Sequence, residues 1–221
     1  MQNNFFRSKI FISIACLIYS FFVFTDKVSG ENTNNLDKFK TFEDWCKAKD
    51  QLSEDLRHTV EELLLIARTS DCKIAGKTLP KGKSLRLNNR GISNLLPLAS
   101  LSNSSITIIH LSENKIVNIQ PLEKLTKLTE LGISGNRISD ISPLRNLTNL
   151  TILSAKRNQI TDVTPLKGLI ELRYLFLRDN KITDISSLQS LRNISVNSGI
   201  FTGNPIINKT CPFRKEVICR F

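Results

Sequence analysis

A chain of 221 residues and 25.0 kDa has room for one domain, or one domain with a small appendage. Its 40% hydrophobic and 23% charged residues exclude a disordered polymer, 9 Gly and 7 Pro exclude collagen, and the lack of several long apolar runs excludes a multi-span membrane protein. A net charge of +11 favours an acidic partner of some kind, while 2 His and 1 Met leave little material for a histidine-rich metal site.

The chain opens with Arg7 and Lys9, followed by Ile10 to Phe24, 15 residues without a charge. That run is short of the roughly 20 residues needed to cross a bilayer. With small residues at Ser29-Gly30 it reads as a secretory signal, residues 1–30, cut after Gly30; a retained N-terminal anchor is the alternative. Cys16 sits in a poor lipidation context, Ser13-Ile14-Ala15-Cys16, with eight more residues of apolar run beyond it. Without the signal the charge balance is 28 cations against 19 anions, or +9, because Arg7, Lys9, Lys27 and Asp26 leave with it. Four cysteines then remain, Cys46, Cys72, Cys211 and Cys219. Four cysteines allow three connectivities; nearness in sequence favours Cys46–Cys72 and Cys211–Cys219, and neither pair has zinc-knuckle or redox spacing. A secreted or periplasmic location is therefore expected.

Residues 31–40 are polar and read as a flexible leader. Residues 41–81 predict a helical N-terminal cap. Thr41 with Asp44 three residues on forms an N-cap pairing, and a second helix is expected to start near Ser53 with Leu56, Val60, Leu63, Leu64 and Ala67 on one face. That face, with Phe42 and Trp45, should lie over the residues after 82, and Cys46–Cys72 should tie the two helices together.

From residue 82 to 196 the chain repeats itself in five coils, the first of them the one under the cap. Asn114, Asn136, Asn158 and Asn180 recur every 22 residues, inside segments such as ELGISGNRISDISPLRNL from Glu130 and YLFLRDNKITDISSLQSL from Tyr174. A degenerate first copy starts at Ser84 with Arg90 in place of Asn, and a half-copy from Gly199 carries Asn204. The pattern L-x-x-L-x-L-x-x-N-x-I-x-D-I-x-P-L-x-x-L resembles the 22-residue leucine-rich repeat of internalin-like bacterial proteins over residues 82–206. The flanks 41–72 and 203–221 are similar to the ends of small exported leucine-rich-repeat proteins of cyanobacteria. This resemblance implies an α/β leucine-rich-repeat solenoid, a horseshoe with a parallel β-sheet on its concave face and short 3-10 or irregular structure on the convex side; it implies no established activity.

The repeat has a physical reading of its own. Each copy starts with a short alternating stretch, such as Leu131-Gly132-Ile133, long enough for one strand. Leu131, Ile133, Ile138, Ile141, Leu144 and Leu147 then all point inward, and coils must stack to bury them. The Asn column, Asn114, Asn136, Asn158, Asn180 and Asn204, sits where the chain leaves the strand and can bond the backbone of adjacent coils. Pro121, Pro143 and Pro165 belong on the convex side, where a missing N–H removes no ladder bond. Residues 197–221 are expected to close the far end as a C-terminal cap held by Cys211–Cys219.

No catalytic motif is present, and no catalytic residue, metal or cofactor is expected. His58 and His110 are the only histidines, too few and too scattered for a metal centre; His110 reads as a solvent-facing strand residue. Five N-x-S/T sequons, at Asn103, Asn146, Asn149, Asn193 and Asn208, owe part of their number to the repeat itself. What remains is the concave sheet. In its C-terminal half Ile152, Tyr174 and Phe176 should lie side by side, with Lys156, Arg157 and Arg178 along one margin and His110 further back. Exposed aromatics bordered by Arg suit a protein-binding hot spot; the alternative is that they pack under the C-terminal cap or residues 197–200. Six strands about 4.8 Å apart would give a sheet about 24 Å wide, enough for a modest contact. The sequence therefore predicts an exported, monomeric, non-enzymatic binding module for a protein partner. A charge-driven binder of anionic glycan or surface lipid is the alternative, and nucleic acid is not expected.

Overall fold

A computed structural model of the chain describes residues 38–195, 200–213 and 219–221. The expected signal segment, residues 1–30, and most of the expected leader lie outside the described residues. Among the described residues no helix is long and apolar enough to cross a membrane.

The cap begins with α1 (Phe42–Lys47), whose start is a reciprocal capping box: the Thr41 hydroxyl accepts from the Asp44 N–H, and the Asp44 carboxylate accepts from the Thr41 N–H at 2.8 Å. The Thr41 hydroxyl also donates to the Asp44 carboxylate at 2.8 Å, and this bond first, with the one from the Thr41 N–H second, holds the Asp44 carboxyl below its usual pKa. Helix α2 (Glu54–Ala67) comes after Ser53 and buries Leu56, Val60, Leu63 and Leu64, the stripe expected from its spacing. It stops at Arg68, which adopts the left-handed conformation, φ 54°. A third helix, α3 (Cys72–Thr78), was not legible, because its seven residues bury only Ala75 and carry no amphipathic stripe. Asp71 starts it by accepting hydrogen bonds from the N–H groups of Lys73 and Ile74 at 2.8 and 2.9 Å. The Cys46–Cys72 bond, with Cα atoms 5.4 Å apart, consequently joins α1 to α3 rather than to α2. Gly76 permits the close crossing: a Cβ there would stand 3.0 Å from the Glu43 Cβ.

Polar bonds fix α2 on the first coil. The Thr59 hydroxyl donates to the Asn94 carbonyl at 2.7 Å, and the Asn94 amide donates to the Asp55 carboxylate at 2.9 Å. Burial pushes the Asp55 pKa up, but hydrogen bonds from Ser53, Asn94 and the backbone outweigh it and leave the group below its usual value. Arg90, in the place of the column Asn, keeps its side chain 45% exposed to solvent. Its guanidinium turns back to the cap and meets Glu62 at 3.2 Å, while His58 Nε2 lies 2.6 Å from the Arg90 carbonyl oxygen. With no coil before it, this position faces a helix instead, and a long cation reaches that helix where an Asn could not.

Five strands, β1 (Ser84–Arg86), β2 (Ile108–His110), β3 (Glu130–Gly132), β4 (Ile152–Ser154) and β5 (Tyr174–Phe176), form one parallel, open sheet in sequential order. The expected sixth strand is reduced to single-residue bridges, Phe176 with Ile200 and Ile200 with Arg220. A four-residue helix, α4 (Leu96–Ala99), and 3-10 turns led by Pro121, Pro143 and Pro165 return the chain along the convex side. Leu131, Ile133, Ile138, Ile141, Leu144 and Leu147 are all at most 1% exposed and belong to one core running from Phe42 to Ile206. At the far end Phe201 is buried against Phe213 and Phe221, and Cys211 and Cys219 are bonded with Cα atoms 5.5 Å apart.

Two polar rails run along the solenoid. In the first, each Asn amide donates within its own coil and to the coil before: Asn158 Nδ2 to the Ile133 carbonyl at 2.9 Å and to the Ala155 carbonyl at 3.3 Å. Its oxygen accepts from the Ile138 N–H at 3.1 Å. Asn114, Asn136, Asn180 and Asn204 repeat this pattern. The second rail joins one coil to a carbonyl 23 residues back. Lys127 donates to Ser104, Asn149 to Thr126 and Asn193 to Ile170. The equivalent residue of the remaining coil is Glu171, whose ionised side chain has no N–H to give. Glu171→Asn is expected to stabilise the protein by about 0.5–1.5 kcal/mol, one hydrogen bond's net worth, measured as a higher urea midpoint at unchanged slope.

Candidate binding face

Strand alternation sends Leu85, Ile109, Leu131, Leu153 and Leu175 into the core, each no more than 1% exposed. Their flanking residues form two rows on the concave face. The register places Ser84, Ile108, Glu130, Ile152 and Tyr174 across one row and Arg86, His110, Gly132, Ser154 and Phe176 across the other.

Tyr174 is 44% exposed and stands beside the half-buried Ile152, as the sequence predicted. Phe176 is displaced from that pair by one row. Its neighbours are Ser154 on one side and Ile200 on the other, so the apolar patch bends rather than running straight. Ile200 escaped sequence reasoning, although the signal was present: it precedes Asn204 by four residues, as Phe176 precedes Asn180. Phe176 is half-buried and Tyr174 exposed, so only Phe176 is drawn toward the C-terminal end.

Each cation of the basic margin has a partner. Lys156 Nζ lies over the Phe176 ring, 4.7 Å from its centroid, where the ring's negative face attracts it. Arg157 pairs with Glu113, two coils back. That reach depends on Gly135 in the coil between, because a Cβ there would meet the Glu113 carboxylate at 2.5–2.6 Å. Arg178 Nε bonds Asp179 at 3.1 Å. The margin is thus two ion pairs and one cation held over an aromatic ring. Glu113, Arg157 and Asp179 hold positive φ of 52–58° at the turn off the strand, where Gly135 and Gly203 serve the same coil position.

His110 is not simply solvent-facing. It is half-buried, and its Nε2 sits 2.8 Å from the Glu130 carboxylate on the next strand. Between this pair and the Tyr174–Phe176 side the floor drops. Gly132 has no side chain, and the buried Ser134 shares a 3.0 Å hydroxyl contact with Ser154 and accepts from the Lys156 N–H at 3.1 Å. Small, mutually satisfied residues let another backbone approach the sheet there. Among the described residues no group of three or more His, Cys, Asp or Glu could hold a metal ion.

Comparison with known proteins agrees with this geometry. Residues 104–146, 126–168 and 148–190 each match the family described as Leucine Rich repeats (2 copies). The structure is similar to internalin C2 of Listeria monocytogenes, with 42% identity, a TM-score of 0.51, and coverage of 54% of this chain and 52% of that one. It is similar to another Listeria monocytogenes internalin at 30% identity and TM-score 0.51, covering 59% of this chain and 44% of that one. A leucine-rich-repeat protein of Leptospira interrogans shares the fold, with 24% identity and TM-score 0.55, covering 62% of this chain and 35% of that one. The chain spans about half the length of the internalin structures it matches. No curated protein is significantly similar in sequence. Residues 104–190 thus match leucine-rich repeats, and the fold is a leucine-rich-repeat solenoid.

Proposed function

We propose that this leucine-rich-repeat chain is an exported, monomeric, non-enzymatic binding module that grips a protein partner with the C-terminal half of its concave sheet. The observation that carries the reading is Tyr174, 44% exposed on a strand whose alternate residue Leu175 is fully buried, with Ile152, Phe176 and Ile200 beside it. Rigid aromatic and aliphatic side chains on a fixed sheet supply contact area with little entropy left to lose. Two cysteine pairs at bonding distance, one at each end, support an oxidising compartment, in keeping with a cleaved signal over residues 1–30 and a secreted or periplasmic location. From β1 to Ile200 the sheet spans five gaps of about 4.8 Å, roughly 24 Å, so the contact belongs at the low end of specific interfaces.

The alternative, an anionic glycan or surface lipid held by charge, has less support on this face. Arg157 and Arg178 are already paired with Glu113 and Asp179, and Lys156 is engaged with Phe176. Tyr174→Ser with Phe176→Ser is expected to abolish capture of a protein from the culture medium or envelope of the source organism, with the thermal midpoint nearly unchanged. The set Lys156→Glu, Arg157→Glu and Arg178→Glu is expected to weaken capture only in part. If the charge-reversal set eliminates binding, the aromatic pair binds normally, and binding falls steeply with salt, the anionic-ligand reading replaces this one.

A further inference from the structure

The row that holds Phe176 does not end at Ile200. Arg220 bridges Ile200 in parallel, so Ser154, Phe176, Ile200 and Arg220 follow one another along the concave face. Alternation fixes the direction of each side chain there. Phe221 stacks on the buried Phe201 with ring centroids 6.1 Å apart, and Cys219 packs against the core. Arg220, between them, is therefore turned to the face, and it is exposed. Its backbone is held from two directions. The bond of Cys219 to Cys211 lies one residue before it, and its carbonyl accepts from the Phe201 N–H at 2.7 Å. The three cations of the margin are engaged with Glu113, Asp179 and the Phe176 ring, whereas Arg220 has no ion pair among the described residues. A guanidinium is a planar fork of N–H donors that matches a carboxylate with two parallel hydrogen bonds. Set on a clamped backbone beside an apolar patch, it has little freedom left to lose on binding.

We propose that Arg220 is the charged anchor of the concave face and that the protein partner meets it with a carboxylate. The proposal rests on the concave face being the binding surface, and it names the chemistry of what binds. The partner seats an apolar side chain among Tyr174, Phe176 and Ile200 and holds an Asp or Glu beside it. Two gaps of about 4.8 Å separate Phe176 from Arg220, and an extended chain laid across the strands advances about 3.3 Å per residue. The acid therefore stands two or three residues from the apolar anchor.

The probe is a library of random linear peptides displayed on phage, depleted on the Tyr174→Ser, Phe176→Ser protein and then selected on the mature parent. The expected result is a peptide with Asp or Glu two or three residues from a large apolar one. Changing that acid to its amide should weaken binding to the parent by about tenfold or more, and to Arg220→Gln by no more than about twofold. Arg220→Gln itself should leave the thermal midpoint unchanged, because the side chain is exposed. Arg137→Gln removes an exposed cation of an earlier coil and should bind the peptide as the parent does. If peptides that need Tyr174 and Phe176 bind Arg220→Gln as tightly as the parent, the anchor is wrong and the binding face remains. Equal weakening by Arg137→Gln also overturns the anchor, since net charge would then account for the effect. If no peptide survives the depletion, the face itself fails and the anchor with it.

Discussion

Replacing Cys46 and Cys72 together by Ser is expected to lower stability by about 3.5 kcal/mol. The bond closes a span of 26 residues, and the chain-entropy relation gives that figure for such a loop; the span of 8 residues closed by Cys211–Cys219 gives about 2.5 kcal/mol. The location of the damage matters as much as its size. In a solenoid each unit touches only its neighbours, so loss of the α1–α3 tie should fray the cap and β1 first. Hydrogen exchange should accelerate across residues 41–90 and stay slow in β4 and β5. Equal acceleration everywhere would show that the cap and coils unfold as one unit.

Asn158→Ala is expected to cost about 3 kcal/mol. The side chain serves the Ile138 N–H and the carbonyls of Ile133 and Ala155, and it is 8% exposed, so water cannot replace it. Each stranded buried group costs about 1–3 kcal/mol. Arg90→Ala, at the same coil position, should cost no more than about 1 kcal/mol, because Arg90 is 45% exposed and supports no buried backbone group with its side chain, its one ion pair being with Glu62, 13% exposed. Urea unfolding of the two variants compares them directly. Equal costs would mean that Arg90 supports the first coil as Asn158 supports its own.

Periodicity made the solenoid legible. A side chain repeated every 22 residues occupies one place in every coil, so Leu131, Asn136 and Ile141 could be assigned from spacing alone. What lay outside the period could not be read this way. Helix α3 is short and nearly without buried residues, and only the position of Cys72 hinted that something there must reach α1. The ion pairs of Arg157 with Glu113 and of Arg178 with Asp179 depend on the left-handed turn and on the missing side chain at Gly135, features of backbone conformation rather than of pattern. The candidate face was half legible for the same reason. Strand alternation put Tyr174 and Ile152 on the surface, but the neighbour of Phe176 came from the irregular last half-copy, where Ile200 bridges the edge of the sheet.

Hydroxyl-radical footprinting of the mature protein, free and with its captured protein partner, tests the binding face most directly, since Tyr and Phe label strongly when exposed. Protection concentrated on Tyr174, Phe176 and Ile152, with Leu65, Ile170 and Ile207 labelled equally in both states, is the expected result; those three are exposed apolar residues remote from the concave rows. Unchanged labelling of Tyr174 together with protection of Leu65, Ile170 or Ile207 would place the partner elsewhere and contradict the assignment.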